Sequence, residues 1–394
     1  MSRLGGHAAG WLDPNDLKRW DYEGAPRTGM ALQLYGMFHD CSSIPNVCGQ
    51  LARHLRAVVP ALALQSYTGR PFFDPALEAL AGMDPEAPVA FFYGVPDAIE
   101  DPVWRHPTRI FGLACESDRV PAAWVACCDR FDLVVVPSRY CARSLRDSGV
   151  RAPILVVPHG LEPCYRPRAP KTRRRPFVFY NVLNAERPHR KSLPELLRAF
   201  RRAFAGRNDV VLRLRVERSR EVRAVLAAAG VADHDPQILI DERTDLPTDA
   251  FAACYADVHC TVHPSRAEGF GLIPFQSIAC ETPVIAPAHT GMADFLDEGN
   301  AILLRSRADP ARPADVYYAY GAQPVIDEDH LVALLRHAEA AWEQEYAKVR
   351  AAAPAFRARY AWPVALAELL ALVRALVALP DAVARRALIR ARVA

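Results

Sequence analysis

Short, unbroken apolar runs alternate along the chain with stretches whose apolar residues recur every three or four positions. The first run is MALQLYG, Met30 to Gly36. A loop follows, then a helical pattern from Val47 to Val58 with Leu51, Leu55 and Val58 on one face. The series continues with ALALQS (Ala61 to Ser66), VAFFYG (Val89 to Gly94), RIFGLAC (Arg109 to Cys115), DLVVVPS (Asp132 to Ser138) and ILVVPHG (Ile154 to Gly160), with a helix expected from Arg139 to Ser148. Runs this short and this continuously apolar predict strands buried on both faces of a parallel sheet. The text changes from Leu161 to Pro176, where prolines and basic residues replace apolar ones and predict a linker. Alternation then restarts: strands at Phe177 to Leu183, Val210 to Val216 and Ile302 to Leu304, and helices at Leu193 to Phe204, Glu221 to Ala229 and Thr248 to Tyr255. The chain closes with helical patterns from Asp329 to Arg350 and Trp362 to Leu379, then a basic piece to Ala394. Two successive α/β units predict two Rossmann-like domains, 1–168 and 169–361, with ligands at the carboxyl ends of their strands.

A chain of 394 residues is long enough for two such cores. The net charge of +3 is too small to imply a nucleic-acid partner. The ten cysteines form no CxxC pair, so reduced buried thiols are expected rather than a metal or disulfide framework. The first residues lack the apolar core of a signal peptide, and no run approaches the ~20 apolar residues of a membrane span. A cytoplasmic protein is expected. Peripheral membrane contact stays open, because the KTRRR run at Lys171 to Arg175 and the terminal RRALIRARVA can each be a solvated segment or a contact for an anionic surface.

Candidate chemistry concentrates in AEGFGLIPFQSIACETPVIA, Ala267 to Ala286. Glu268 precedes Gly269-Phe270-Gly271, a helix is expected from about Leu272, and Gln276 follows Glu268 by eight positions. Small residues at a helix start bring backbone N–H groups and the positive helix end to an anion. A plain glycine turn with an exposed glutamine fits the spacing equally well. In NVLNAERPHRKSLPELLRAF, Arg187, Arg190 and Lys191 sit between a strand and a helix, where they complement a diphosphate or merely line a solvated loop. Gly291, in TGMADFLDEGNAILL, either permits close backbone approach or shapes a turn. Glu116, Ser117 and Asp118 of ESDRVPAAWV either contact a ligand or cap a helix. Asp327 to Asp329 read DED, which predicts an acidic first helical turn rather than a metal site.

These stretches resemble the signature of glycosyltransferase family 4, retaining enzymes of the GT-B fold. The family's pattern is an acidic residue, Gly-Phe-Gly-Leu, a second acidic residue eight positions after the first, and a helix ending in Ala-Cys-Gly-Thr-Pro-Val-Ile; this chain has EGFGL, then AC-Glu-TPVIA. The resemblance implies two Rossmann-like domains across a cleft, with the segment 362–394 crossing back onto the first. It implies that Glu268 faces the donor sugar, that Gly269, Phe270, Gly271 and Leu272 bind the donor, with the backbone of Phe270 and Gly271 meeting the diphosphate, and that Gln276 holds the ribose. Lys191 and either Arg187 or Arg190 grip the leaving diphosphate, and Gly291 and Met292 lie near phosphate and sugar. The first loop, with Ser42, Ser43, Ile44, Pro45 and Asn46, faces the donor through Ser43. Glu116 and Ser117 lie on the acceptor side, and His159 is structural. Two departures stand out: Gln276 replaces a glutamate, and Glu281 replaces a glycine at a helix end, where a left-handed backbone would cost about 1 kcal/mol. The reaction implied moves a hexose, with retention, from GDP-mannose or a UDP-hexose to a sugar, lipid-linked or other hydroxyl acceptor in polysaccharide or glycoconjugate synthesis, with no metal or other cofactor. The rivals are a phosphorylase or epimerase on the same fold, and a non-catalytic nucleotide-sugar-binding protein.

Overall fold

Six of the apolar runs form one parallel sheet. Its strands are β1 (Leu32–Gly36), β2 (Leu62–Ser66), β3 (Val89–Tyr93), β4 (Thr108–Gly112), β5 (Leu133–Val136) and β6 (Ile154–Val156), in the order β2-β1-β3-β4-β5-β6. Helices α1 (Ser43–Val58), α2 (Pro75–Glu78), α3 (Asp101–Arg105), α4 (Ala122–Cys128) and α5 (Arg139–Asp147) make the crossovers. A second parallel sheet holds β7 (Phe177–Val182), β8 (Val210–Arg215), β9 (Ile238–Asp241), β10 (Cys260–Val262), β11 (Val284–Ala286) and β12 (Ile302–Leu303), in the order β12-β11-β10-β7-β8-β9. Its crossover helices are α6 (Leu193–Ala203), α7 (Arg220–Ala228), α8 (Thr248–Cys254) and α9 (Leu272–Ala279). The computed structural model describes residues 26–40, 43–68, 70–183, 187–216, 219–243, 246–309 and 320–393. Most of the expected lead-in, Ser42 and residues 184–186 of the basic loop lie outside them.

The strand orders matter for function. In the first sheet the chain reverses direction between β1 and β3; in the second it reverses between β7 and β10. Such reversals open a crevice at the carboxyl ends of the strands. The loops after β7 and β10 are the ones that carry Arg190, Lys191 and Glu268.

Four helices close the chain: α10 (Glu328–Ala340), α11 (Trp342–Arg359), α12 (Trp362–Ala365) and α13 (Ala367–Ala378), followed by α14 (Ala382–Arg392) as a fifth. Trp362, Leu366, Leu369, Leu372 and Leu376 pack into the apolar core of the first sheet with Leu32, Val47 and Leu51, so the C-terminal segment does cross back. The expected Asp329 to Arg350 helix is two helices, broken at Ala341. Asp327 caps the first, its carboxylate accepting the His330 N–H at 2.9 Å, so DED is a helix start as expected. Among the described residues no helix is long and apolar enough to cross a membrane.

Two expectations about basic segments need correction. The stretch from Leu161 to Pro176 is a strap held onto the fold rather than a solvated linker. Leu161 donates its N–H to Tyr360 O at 2.7 Å, and Tyr165 is buried. Lys171 donates to the carbonyls of Val258, at 3.0 Å, and of Tyr255; burial draws its ammonium down to about 8. Arg173 and Arg175 converge on Glu339 at 3.0 and 2.9 Å, and Arg174 reaches Asp257 at 3.5 Å. In the terminal helix, Arg385 is buried and donates to Leu376 O at 3.0 Å, and Arg386 pairs with Asp132 at 2.7 Å. Only Arg390 and Arg392 of that run face outward among its arginines.

Buried histidines set a pH dependence. Burial lowers His159 to about 3, and lowers His259 and His289 to about 4, with Arg174 and Lys171 adding to the effect at His259. All three are neutral in the fold. The unfolded chain takes up protons below its ordinary histidine pKa of about 6.5, while the folded chain does not until near pH 4. The stability they contribute is therefore complete above about pH 6.5 and is lost as pH falls toward 4, at up to about 1.4 kcal/mol per pH unit from each group. Urea unfolding at pH 7.5 and 5.5 should show this loss, and His159→Gln should flatten the slope; equal stability at both pH values contradicts it.

Candidate active site

Glu268 sits in the loop after β10 and is 7% exposed. Four groups converge on it. Lys191 Nζ donates to Oε1 in a short ion pair, His263 Nε2 lies 2.9 Å from the same oxygen, and Arg190 Nη1 lies 3.4 Å from Oε2. The Glu268 N–H donates to Thr290 Oγ1 at 3.2 Å. A carboxylate can only accept, so the proton of the neutral imidazole is on Nε2 of His263. Burial alone would raise the Glu268 pKa, but Lys191, Arg190 and His263 overcome it and hold the carboxyl well below its usual range. Burial, reinforced by Arg190, pulls the Lys191 ammonium down against the attraction of Glu268 and Glu116.

The cluster spans the two sheets. Glu116, beyond β4, reaches Arg190 Nη1 at 3.0 Å. Helix α4 is instead preceded by Pro121, whose side chain makes no cap, so the helix-capping alternative for Glu116 and its neighbours falls. Asp118 accepts the Ala322 N–H at 2.7 Å, and Ser117 donates its hydroxyl to Arg119 O. Beyond β5, Ser138 Oγ donates to Gly269 O at 2.6 Å, and Cys141 Sγ lies 3.3 Å from the same carbonyl. Glu116, Ser138 and Cys141 follow the carboxyl ends of β4 and β5 and meet the loops that follow β7 and β10.

The Gly-Phe-Gly turn is packed to its limit. A Cβ on Gly269 would stand 2.8 Å from Ala114 Cβ; Gly271 has φ +104° and faces Met292 at 2.5 Å; a Cβ on Gly291 would stand 2.3 Å from Gly269 O. Phe270 is buried among Phe275, Phe295 and His159, at ring distances of 4.8, 5.3 and 4.8 Å. His159 also bonds Tyr93 OH at 2.9 Å, which fits its structural assignment. Helix α9 begins at Leu272 without a side-chain cap. Pro274 has no N–H to satisfy, so the N–H groups of Leu272 and Ile273 are what the helix start presents. At its other end Glu281 is left-handed, φ 55°, as expected for a glycine position, and Arg357 steadies it by donating to Ala279 O at 2.8 Å.

Two other non-glycine residues have positive φ among those described: Ser192 at 54° and Thr290 at 51°. The first follows Lys191 directly, and the second holds Glu268. Backbone strain of this kind, worth about 1–3 kcal/mol, persists where surrounding structure fixes a functional geometry.

Of the residues expected at the site, the structure brings together Glu268, Arg190, Lys191, Glu116, Gly269, Gly271, Gly291 and Met292. The choice between two arginines falls to Arg190 for direct contact; Arg187 acts on Glu116 through its charge. Gln276 is not the exposed glutamine of the plain-turn alternative. It is 5% exposed, and its Oε1 accepts the Tyr255 hydroxyl at 3.1 Å, inside the second core. Ser43 opens α1 rather than lying in a loop. His263 and Thr290 were not anticipated. Asking what keeps a buried Glu268 ionised would have pointed to His263, five residues earlier and at the end of the preceding strand.

Two parallel-sheet halves facing each other across such a cluster define the GT-B class. Solved structures agree: sucrose-phosphate synthase from Thermosynechococcus elongatus superposes with TM-score 0.63 at 15% identity, over 89% of this chain and 100% of that one. WaaG, a glycosyltransferase involved in lipopolysaccharide biosynthesis, gives 0.62 at 11% identity over 87% and 99%. Identities this low establish the fold alone. Residues 132–369, more than half of the chain, match the family described as Family 4 Glycosyltransferase in conflict systems, and the chain belongs to that family. Among curated relatives, the D-inositol 3-phosphate glycosyltransferase of Arthrobacter sp. FB24 is 27% identical over 47% of this chain and 45% of its own length. That of Acidothermus cellulolyticus is 36% identical over 24% and 20%. The chain thus spans less than half the length of these relatives.

Proposed function

We propose that the chain is a retaining glycosyltransferase that moves a hexosyl group from a UDP-sugar to an acceptor hydroxyl, in polysaccharide or glycoconjugate synthesis. The observation that supports it most directly is the buried Glu268 held between Arg190 and Lys191, beside the open start of α9. A UDP donor is favoured over GDP-mannose because structural neighbours such as HepE of Anabaena were solved with UDP and glucose.

In this scheme the bond between the sugar C1 and the diphosphate oxygen breaks, and its electron pair leaves with the diphosphate. Lys191, Arg190 and the N–H groups at the start of α9 take up the developing charge, which is the main electrostatic task. The acceptor oxygen bonds to C1 on the same face, and its proton passes to a phosphate oxygen of the leaving group. The protein supplies no nucleophile, and its two cations do the work that a metal ion does elsewhere. Glu268 keeps those cations in place and faces the sugar. Gln276 can meet a ribose through its amide N–H and through the second lone pair of its carbonyl, the first being taken by Tyr255.

Lys191→Ala tests the donor site. Loss of one charge-assisted contact, about 1.5–3 kcal/mol, weakens UDP binding roughly 10- to 150-fold by calorimetry. An unchanged dissociation constant counts against the assignment. A thermal-shift panel of UDP-, GDP-, ADP- and dTDP-sugars identifies the base.

A further inference from the structure

A cavity whose polar lining is mainly carboxylates and amides lies apart from the Glu268 cluster. It encloses about 540 Å3 between the first half of α1, the start of α2, the strap at Glu162 to Cys164 and the start of α8. Neither Arg190 nor Lys191 lines it. Four carboxylates do, from Asp40, Asp74, Glu162 and Asp249, against a single guanidinium, Arg53. That guanidinium is already committed, 2.5 Å from Asp74. Among the described residues that line it, a diphosphate or phosphate entering here meets four carboxylates and no other arginine or lysine.

The rest of the lining suits hydroxyl groups. Glu162 is buried, and Oε1 accepts from the amides of Asn46 at 2.5 Å and Gln50 at 3.5 Å. These three side chains offer both donors and acceptors in fixed positions. Phe73 is 54% exposed at the rim, one of the few large apolar side chains outside the cores. Its backbone N–H is tied to Phe38 O at 2.7 Å, and beneath it Phe38 and Phe72 stack at 5.0 Å. An aromatic ring on a tethered backbone, left open to solvent beside carboxylates and amides, fits the C–H face of a sugar ring while its hydroxyls bond the polar groups. Asp40 follows β1, and Asp249 begins α8 after β9. The cavity therefore opens at the same carboxyl ends of the strands as the cationic cluster, and it draws on both halves.

We propose that this cavity is the acceptor site, and that the acceptor is a sugar or cyclitol ring that is uncharged or carries an amine, not a phosphorylated one. The inference rests on the transferase reading above. It separates this chain from the curated relatives, which are named for an acceptor bearing phosphate.

The test titrates the full chain, saturated with UDP, with glucosamine, glucose and glucose 6-phosphate by calorimetry. Glucosamine is expected to bind most tightly, and glucose 6-phosphate at least tenfold more weakly than glucose. Phe73→Ala and Asp249→Asn, both at exposed positions, are expected to weaken glucosamine at least fivefold and to leave UDP affinity unchanged. Tightest binding of glucose 6-phosphate overturns the proposal, as does failure of all three sugars to bind. If Phe73→Ala weakens UDP or uridine instead, the cavity holds the donor nucleoside and the acceptor assignment is wrong. If UDP itself does not bind, the transferase reading fails, and that result is distinct from each of the others.

Discussion

Glu268→Gln lowers glycosyl transfer roughly 10²- to 10³-fold, the scale seen when one preorganised electrostatic group is removed from an active site, while the fold survives. The amide is the informative replacement because of what surrounds the carboxylate. Lys191, Arg190 and His263 all aim hydrogen-bond donors at it. Alanine would leave two buried cations with one carboxylate, Glu116, between them, and breaking a buried pair costs about 3–5 kcal/mol. Loss of activity in Glu268→Ala would then be inseparable from loss of structure. Glutamine keeps one acceptor oxygen, for Lys191 and His263, and nearly the same volume; it removes the charge and gives up only the longer 3.4 Å contact from Arg190. The expected split is a large fall in kcat, a melting temperature within a few degrees of the parent, and UDP binding that is unchanged or tighter, because the cations no longer share their charge with a carboxylate. Transfer within threefold of the parent would falsify a role for the Glu268 charge.

The strands were legible because each is buried on both faces, so every position carries the same signal. What escaped was set by contacts distant in sequence. Pro45 reads as a helix breaker, yet it lies in the first turn of α1, where no N–H bond is lost. The break at Ala341 has no glycine or proline to announce it; it follows from Trp342, which stacks on Tyr346 at 5.1 Å and donates its indole N–H to His259 O at 2.9 Å. The basic strap reads as solvated until Glu339, Asp257 and Asp209, each far along the chain, are placed beside it. At the site, the glycines and cations were legible as types and spacings. The pairing of Glu116 with Arg190 was not, because it depends on how the two sheets face each other. Gln276 shows the converse: its spacing placed it in α9, but its neighbour Tyr255 lies at the end of another helix.

Gly291→Ala should disable the site without touching a charged group. The added methyl would lie 2.3 Å from Gly269 O, 2.5 Å from Gly269 C and 2.8 Å from Glu268 O. All three are backbone atoms, so no side chain can swing aside. The backbone they belong to cannot retreat easily either, because Ser138 holds the Gly269 carbonyl at 2.6 Å and Gly291 N–H donates to Glu268 O at 2.9 Å. Relief requires the Glu268 loop and the Thr290 loop to move apart, which breaks that bond and displaces the carboxylate from Lys191. Overpacking of this kind costs about 1–3 kcal/mol, and a shift of roughly 1 Å in a catalytic group costs about 10²-fold in rate. Gly49→Ala is the control for stability. Its Cβ would meet nothing closer than 3.4 Å within α1, and alanine in a helix interior gains about 0.8–1 kcal/mol over glycine. The two substitutions, chemically identical, should move the melting temperature in opposite directions, and Gly291→Ala should lose transfer; Gly49 borders the proposed acceptor cavity, so its variant reports on stability alone. Parental stability and activity in Gly291→Ala would mean that the two loops are not locked together in solution, and the geometry assigned to Glu268 would fall with that.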